Sequence, residues 1–278
     1  MLGKLGDRPL GAKDADAVGR ALDVDPVASC MVAARVEAYG LSPRFLGGEL
    51  WTNSNPGSSL AFSGANLMPL IGGLADLDLF AGRAVDGPRV CSSVVGSADL
   101  VLPLWDRLAP EWGPPREIRD DQPLLALNGY PTIATDPAVG LVTMADLDAY
   151  FPAAVEMFIG EVGVDPCAGD GGRSYRRRLA ALISARRVFA RFEGERVVFK
   201  AEIGSMSRKA GQIQGVWVDP EFRGRGLGAV GTAAVAAAIA RQGRIASLYV
   251  NAFNTAARRT YEQVGFREVG TFATVLID

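Results

Sequence analysis

The sequence predicts an α+β protein made of two domains. The chain has 278 residues, about twice the usual domain length of roughly 150 residues. A segment rich in proline, glycine and small polar residues, 128–137, divides the chain into two parts of ordinary domain size. Helical and strand-like patterns alternate on both sides of it. We therefore expect one domain over residues 1–131 and a second over 139–278.

The second half shows the clearer pattern of elements. Apolar residues at helical spacing predict helices over 146–162 and 173–187. Two strands follow and are joined by a short turn through Gly194. The remaining segments alternate between strand and helix, and the last helix ends at Gly265, a residue suited to the left-handed position after a helix. The predicted strands cover 188–192, 196–205, 212–218, 245–250 and 272–277, and the later helices cover 227–241 and 255–264.

The first half repeats part of this layout. A helical pattern starts at Asp14, as one starts at Asp146, and two strand-like segments follow over 49–51 and 59–62. The offsets between matching segments vary along the chain. The similarity therefore fits a diverged duplication, but also a chance likeness between two α+β domains.

Composition excludes several classes of protein. Apolar residues make up 49% of the chain and charged residues 22%, which is typical of globular proteins and not of disordered ones. Histidine is absent, so no imidazole can act as a base or bind a metal. The three cysteines are far apart and form no zinc-binding pair. We therefore expect no metal.

Charge and hydropathy restrict the partners and the location. A net charge of −2 indicates no broad basic surface for nucleic acid. No uncharged apolar run reaches about 18 residues, the length needed for a membrane span. Residues 1–8 lack the apolar stretch of a signal peptide. We therefore expect a cytoplasmic protein with neither a nucleic-acid nor a membrane partner.

The most informative segment joins the strand that ends at Val218 to the helix that starts near Leu227. Three glycines alternate with other residues over 224–228 and leave backbone N–H groups accessible at the helix start. Such N–H groups, together with the positive end of the helix dipole, bind anions such as a pyrophosphate. Arg223 and Arg225 add donors for phosphate oxygens.

A dinucleotide-binding fold is one interpretation of this turn, because residues 226–231 match G-x-G-x-x-G. Three observations oppose it. The glycines do not directly follow the strand, and Asn251 stands at the strand end where an acidic residue is expected. Only 47 residues follow Gly231, too few for the rest of a doubly wound sheet.

A second interpretation accounts for more of the sequence. Residues 223–228 match R/Q-x-x-G-x-G/A, the motif with which the GNAT superfamily of N-acetyltransferases binds the pyrophosphate of acyl-CoA. Residues 254–266 match that family's second motif, N-x-x-A-x-x-x-Y-x-x-x-G-F. The second half therefore resembles a GNAT domain, a mixed central sheet flanked by helices. The whole chain resembles two-domain members in which a degenerate copy precedes the active domain.

The resemblance implies an acetyl-CoA site in the second half. In the family, the backbone of the fourth strand holds the pantetheine arm, and one of its N–H groups polarises the thioester carbonyl. Here that N–H belongs to Val218. The same segments also have ordinary explanations, namely a buried strand, a strand-to-helix connection and a helix N-cap. The implied CoA-binding residues are Val216, Trp217, Val218, Arg223, Gly224, Arg225, Gly226, Leu227, Gly228, Ala229 and Asn254.

The resemblance also implies the proton-transfer residues. Tyr261 stands at the family's general-acid position, where a phenol protonates the departing thiolate, although a half-buried structural tyrosine is the alternative. The two positions at which family members place a basic glutamate hold Gln212 and Tyr249. Glu202 on the neighbouring strand is our first candidate for the general base. Glu161 is the second, and a chain of water molecules is the third.

The implied function is transfer of an acetyl group from acetyl-CoA to a primary amine. No cysteine lies within the motifs, so we expect direct attack by the amine. The acceptor is a small molecule or a peptide; its identity and the oligomeric state stay open. The basic run 176–178 can hold an acidic acceptor, but a solvated helix face is the favoured interpretation. The missing glutamate leaves a non-catalytic acyl-CoA-binding or regulatory module as the alternative.

The first half contains no R/Q-x-x-G-x-G sequence. Its segment 97–105 lies where the second motif would fall, but it lacks the asparagine and the tyrosine. We therefore expect that the first half does not bind CoA.

Overall fold

The structure is a computed structural model that describes residues 10–278. Residues 1–9 lie outside the described residues. They include residues 1–8, for which the sequence predicts no signal peptide. The first half contains α1 (Ala15–Leu22), α2 (Cys30–Tyr39), α3 (Pro43–Leu46), β1 (Gly48–Trp51), β2 (Leu60–Gly64), β3 (Leu67–Ile71), α4 (Leu74–Asp86), β4 (Ser93–Ser97), α5 (Ala98–Trp112) and β5 (Glu117–Leu127). The second half contains β6 (Gly140–Leu141), α6 (Leu147–Val162), α7 (Arg173–Ser184), β7 (Val188–Glu193), β8 (Arg196–Met206), β9 (Ala210–Val218), α8 (Leu227–Ala240), β10 (Ile245–Tyr249), α9 (Thr255–Val264) and β11 (Arg267–Leu276).

The elements predicted for the second half are confirmed, and α9 has the predicted bounds. The largest difference concerns β11, which begins at Arg267 and not at residue 272. Its first four residues are exposed and lack an apolar pattern. They form a strand because Arg267 and Glu268 pair with the far end of β5, so tertiary pairing and not local sequence extends this element.

The strands of residues 10–278 form one mixed sheet of eleven strands, in the order β1-β2-β3-β4-β11-β5-β10-β9-β8-β7-β6. In the first half, β1, β2 and β3 pair antiparallel, and β3 pairs parallel with β4. In the second half, β7, β8 and β9 pair antiparallel, and β9 pairs parallel with β10. The helices α4 and α5 occupy the places of α8 and α9. This repetition confirms the predicted mixed fold with a diverged first copy and favours duplication over chance.

The two halves exchange their last strands. β5 of the first half lies between β10 and β11, while β11 of the second half lies between β4 and β5. Gln122 of β5 connects both neighbours, because it donates to Asn251 Oδ1 at 2.8 Å and accepts from the Thr274 hydroxyl at 2.6 Å. Each half therefore completes the sheet of the other. The boundaries at 131 and 139 stay a prediction about the division of the chain.

Helices cover both faces of the sheet in the second half. α8 packs closely on one face, since a Cβ at Gly231 would lie 2.6 Å from the Phe199 ring. α6 and α7 cover the other face around a core that includes Tyr150 and Trp217. Within the part of the chain that the structure describes, no helix has the length and apolar character needed to cross a membrane.

Candidate active site

Two neighbouring parallel strands separate in the second half. β10 pairs with β9 only over residues 245–247, opposite residues 210–212. Farther along, β9 continues beside β8 and β10 continues beside β5. The opening between residues 213–218 and 248–251 is called the wedge below. It exposes the edges of two strands that would otherwise bond each other.

The backbone of Val218 faces the wedge. The next residue, Asp219, donates its N–H to Val198 O of β8 at 3.1 Å. Successive residues of a strand direct their backbone groups to opposite sides, so the N–H and C=O of Val218 point away from β8. The C=O accepts a hydrogen bond from Arg223 Nε at 3.1 Å. The N–H is left directed into the wedge; its role in polarising a thioester stays a prediction.

The other two residues of this strand segment differ in direction. Val216 lies two residues before Val218, beside a shift in the register between β9 and β8, and its side chain packs against the core on the α8 side of the sheet. Trp217 is opposite Lys200 of β8, and its side chain is buried in the core beneath α6 and α7. Of the three predicted residues, the structure therefore brings the backbone of Val218 to the wedge, while the backbone of Trp217 faces β8.

The glycine turn presents a run of free backbone donors. Within residues 10–278, none of the five consecutive N–H groups of residues 224–228 donates a hydrogen bond. Gly224 and Gly226 have φ values of +75° and +79°, a region that glycine adopts without strain. A Cβ built on either would meet no described atom within 4 Å. The predicted residue Ala229 differs, because its N–H already donates to Gly226 O at 3.1 Å.

The two arginines of the turn keep their charge available. Arg223 reaches back to Val218 O, and Arg225 donates to Glu221 O at 3.0 Å and lies 4.9 Å from the Phe222 ring centre. Among the described residues, neither guanidinium forms an ion pair with a carboxylate. Positive charge therefore surrounds a helix start that already favours anions.

Helix α9 carries the second motif. Asn254 caps this helix, since its Oδ1 accepts the Ala257 N–H at 3.1 Å, so the N-cap role is confirmed and contact with CoA stays a prediction. The ring of Tyr261 is buried with its centre 6.1 Å from that of Phe266, and its hydroxyl has no hydrogen-bond partner among the described residues. Burial, and secondarily the charge of Glu161, raises the pKa of Tyr261. The phenol is therefore protonated at neutral pH.

Glu161, near the C-terminal end of α6, acts through its charge on two tyrosines. Burial and the charge of Glu161 raise the pKa values of both Tyr249 and Tyr261. Glu161 itself is exposed at the surface. Desolvation by the protein around it raises its pKa, although the charges of Lys200 and Arg119 oppose the shift. An accessible carboxyl with a raised pKa, whose charge acts on two phenols, is suited to accepting a proton.

Glu202 lies in a different environment, with no exposed surface. Its Oε1 accepts from Lys200 Nζ and from the Tyr150 hydroxyl, both at 3.0 Å, and its Oε2 accepts from Gln214 Nε2 at 3.1 Å. Burial alone would raise the pKa of Glu202, but the charges of Lys200 and Arg178 and the hydrogen bonds from Lys200 and Gln214 hold it below its usual value. Both carboxylate oxygens are therefore engaged inside the protein.

A cavity of about 520 Å³ opens between the two halves of the chain. Gln212 and Tyr249, the residues at the two expected glutamate positions, both line it, and α2 of the first half forms the opposite wall. We call this space the inter-half cavity. A larger groove of about 740 Å³ lies near Arg241, after the C-terminal end of α8, and none of the predicted site residues lines it.

The equivalent helix start in the first half is closed. α4 begins after Gly73, whose N–H donates to Asp76 Oδ2 at 2.9 Å. The carboxylate occupies the end of the helix and would repel a phosphate. The start of α4 therefore differs from the glycine turn of α8 in carrying a carboxylate; whether the first half binds CoA stays a prediction.

Two segments of the chain match models of known protein families. Residues 48–150 match a domain of unknown function, DUF4081, and residues 197–275 match the FR47-like protein family. Comparison with curated proteins finds no match.

Several solved structures resemble the protein over nearly its whole length. A protein from Drosophila melanogaster has a TM-score of 0.64 at 12% identity and covers 97% of this chain and 98% of its own. A GNAT-family acetyltransferase from Colwellia psychrerythraea has a TM-score of 0.56 at 10% identity, with coverage of 93% and 97%. A GCN5-related N-acetyltransferase from Sphaerobacter thermophilus has a TM-score of 0.55 at 17% identity, with coverage of 98% and 96%. At these identities the likeness is one of fold.

Proposed function

Because the chain has the GNAT fold across both halves, we propose that it transfers an acetyl group from acetyl-CoA to a primary amine. The observation that carries the proposal is the contiguity of the wedge with the five free N–H groups of residues 224–228. A Cβ at Gly228 would lie 3.6 Å from Val218 Cγ2, so the turn adjoins the end of β9. A pyrophosphate needs such donors at a helix start, and a pantetheine arm needs an open strand edge next to them.

The residues present fit acetyl-CoA, which supplies the acyl group as a thioester. The N–H groups of 224–228 and the guanidinium groups of Arg223 and Arg225 would hold the pyrophosphate. The backbone of Val216 and Val218 would hold the pantetheine arm. The Val218 N–H would donate to the thioester carbonyl oxygen, where negative charge develops during attack.

We assign the general base to Glu161 and not to Glu202. A base must reach the acceptor amine directly or through one water molecule, and Glu202 is fully buried with both oxygens bonded. As the amine nitrogen bonds to the acyl carbon and the C–S bond breaks, Glu161 accepts the amine proton and Tyr261 donates its phenolic proton to the thiolate. Proton exchange with solvent then restores both side chains.

A non-catalytic acyl-CoA-binding module is the second candidate. It is favoured by the absence of a carboxylate at Gln212 and Tyr249, the two positions from which a family base would act. The same turn and wedge would then bind acyl-CoA without proton transfer.

The test measures free thiol released from acetyl-CoA by the full chain, with and without each member of a panel of primary amines. Amine-dependent thiol release, accompanied by an amine product heavier by one acetyl group, supports acyl transfer. Calorimetric binding of acetyl-CoA without release for any amine favours the binding module. Failure to bind acetyl-CoA would reject both candidates.

A further inference from the structure

Arginines supply the charge of the inter-half cavity. Its charged lining residues are Arg35, Arg178 and Arg187, and no carboxylate of the described residues lines it. We propose that this cavity binds a small acceptor that carries a negatively charged group, a carboxylate or a phosphate, in addition to its amine. The inference rests on the proposed acyl transfer and specifies the class of its substrate.

The three arginines differ in their availability. Arg35 is held by the protein, because its Nη1 donates to Leu46 O at 3.0 Å and its guanidinium lies 5.8 Å from the Phe62 ring centre. The guanidinium groups of Arg178 and Arg187 have no hydrogen bond or ion pair within residues 10–278. Both therefore keep all their donors for a ligand, and a guanidinium matches the geometry of a carboxylate or phosphate.

The buried acid on β8 does not remove this surplus of charge. Glu202 forms an ion pair with Lys200 at 3.0 Å, and the charge of Arg178 acts on the same carboxylate. One carboxylate beside two cations leaves positive charge in excess. Arg178 and Arg187 thus bring two positive charges to one cavity, which favours an anion there. Arg187 also borders the larger groove near Arg241, so the test must separate its contribution from that of Arg178.

The location of the cavity connects an anion site to the reaction. Gln212 and Tyr249, which line the same cavity as Arg178 and Arg187, belong to the strands that separate into the wedge. A molecule held by the arginines can therefore place its amine at the wedge. The volume of about 520 Å³ falls in the range of small-molecule sites, roughly 300–1,000 Å³, which suits an amino acid or a phosphorylated amino sugar.

The basic run on α7 supplies a matched control. Arg176 forms an ion pair with Asp148 and lies 4.6 Å from the Phe151 ring centre. Arg177 is exposed and does not line the cavity. The sequence favoured a solvated helix face for the basic run 176–178. That interpretation suits Arg176 and Arg177, whereas Arg178 lines the cavity.

The experiment compares amines in pairs that differ only in a negative charge. Each L-amino acid is paired with its amide, and glucosamine 6-phosphate with glucosamine. Binding to the full chain in the presence of CoA is measured by calorimetry, separately from turnover with acetyl-CoA. Arg178→Gln and Arg187→Gln are compared with Arg177→Gln. A lost charged hydrogen bond corresponds to roughly 10- to 100-fold weaker binding, so we expect that loss for an anionic member in the first two variants and no change for its neutral partner.

The outcomes separate this inference from the proposed function. Tighter binding of an anionic member, lost in Arg178→Gln and retained in Arg177→Gln, supports the inference whether or not turnover is seen. Equal binding of both members in every pair, or an equal loss for both in the arginine variants, overturns it. Absence of acetylated product for amines that do bind would instead contradict acyl transfer.

Discussion

Lys200 Nζ lies 3.0 Å from Glu202 Oε1, and neither side chain has any exposed surface. The two residues are separated by one position on β8 and therefore point to the same face of the sheet. A buried ion pair is tolerated when the remaining polar atoms are also bonded, and Tyr150 and Gln214 provide those bonds to Glu202. We interpret this group as structural support between β8, β9 and α6.

The first prediction concerns the stability of this support. Glu202→Gln leaves the Lys200 ammonium buried without its counter-charge, so we expect the free energy of unfolding to fall by about 3–5 kcal/mol. Urea denaturation at neutral pH measures it. Combining Glu202→Gln with Lys200→Met removes the uncompensated charge and should recover most of the loss. A single variant as stable as the native protein would contradict the structural role.

The same variant has a predicted dependence on pH. The pKa of Glu202 is below its usual value, so its stabilising contribution is fully present above the carboxyl pKa of the unfolded chain. It is lost as the pH falls through the lower pKa of the folded state. Glu202→Gln should therefore lose less stability than the native protein over that acidic range.

The second prediction concerns the phosphate site. Gly226→Val places a branched side chain over the free N–H groups, so we expect acetyl-CoA to bind about 10- to 100-fold more weakly through lost charged hydrogen bonds. Gly243→Val is the matched control, because Gly243 also has a positive φ, +69°, meets no described atom within 4 Å of a Cβ, and lies after the opposite end of α8. Calorimetry compares the two. Equal affinities would place the phosphate site elsewhere.

The third prediction concerns Tyr261. Tyr261→Phe removes the proton donor but keeps the buried ring, so turnover should fall by roughly 10²–10⁴-fold with little change in the affinity for acetyl-CoA. Tyr130→Phe, at an exposed tyrosine, serves as the control. Since the pKa of Tyr261 is raised, turnover should not decline through loss of this proton at or below the unperturbed tyrosine pKa of about 10. Native turnover in Tyr261→Phe would reject the acid assignment.

Local signals in the sequence were sufficient for much of the second half. The glycine turn, the cap at Asn254 and the stop at Gly265 each depend on a few neighbouring residues, and α9 has the predicted bounds. The strand-like segments 49–51 and 59–62 were also matched to the first two strands predicted for the second half, 188–192 and 196–205. These segments became β1 and β2, which repeat the pairing of β7 and β8.

Long-range pairing and side-chain surroundings were not predictable in the same way. An apolar strand pattern does not specify its partner, so nothing local to β5 or β11 indicated that the halves exchange them. The sequence identified both Glu161 and Glu202 as candidate bases. It did not indicate that Tyr150 and Lys200 would engage Glu202, because those contacts join α6 and β8 across the core. The run 176–178 was considered as a holder of an acidic acceptor, with a solvated face favoured. The sequence did not indicate that Arg178 shares a cavity with Arg35 and Arg187, because the three come from different segments of the chain.

The fourth prediction tests the general base through its dependence on pH. The pKa of Glu161 is raised, so the turnover of the native protein should increase with pH as this carboxyl loses its proton, above the ordinary glutamate pKa of about 4.3. Glu161→Gln should lose this limb of the pH–rate profile and roughly 10²–10⁴-fold in turnover. High pH should restore part of the loss, because more of the amine is then already deprotonated. Glu156→Gln, an exposed position on the same helix, should retain the native profile. An unaltered acidic limb in Glu161→Gln would exclude this carboxylate and leave a chain of water molecules as the path for the proton.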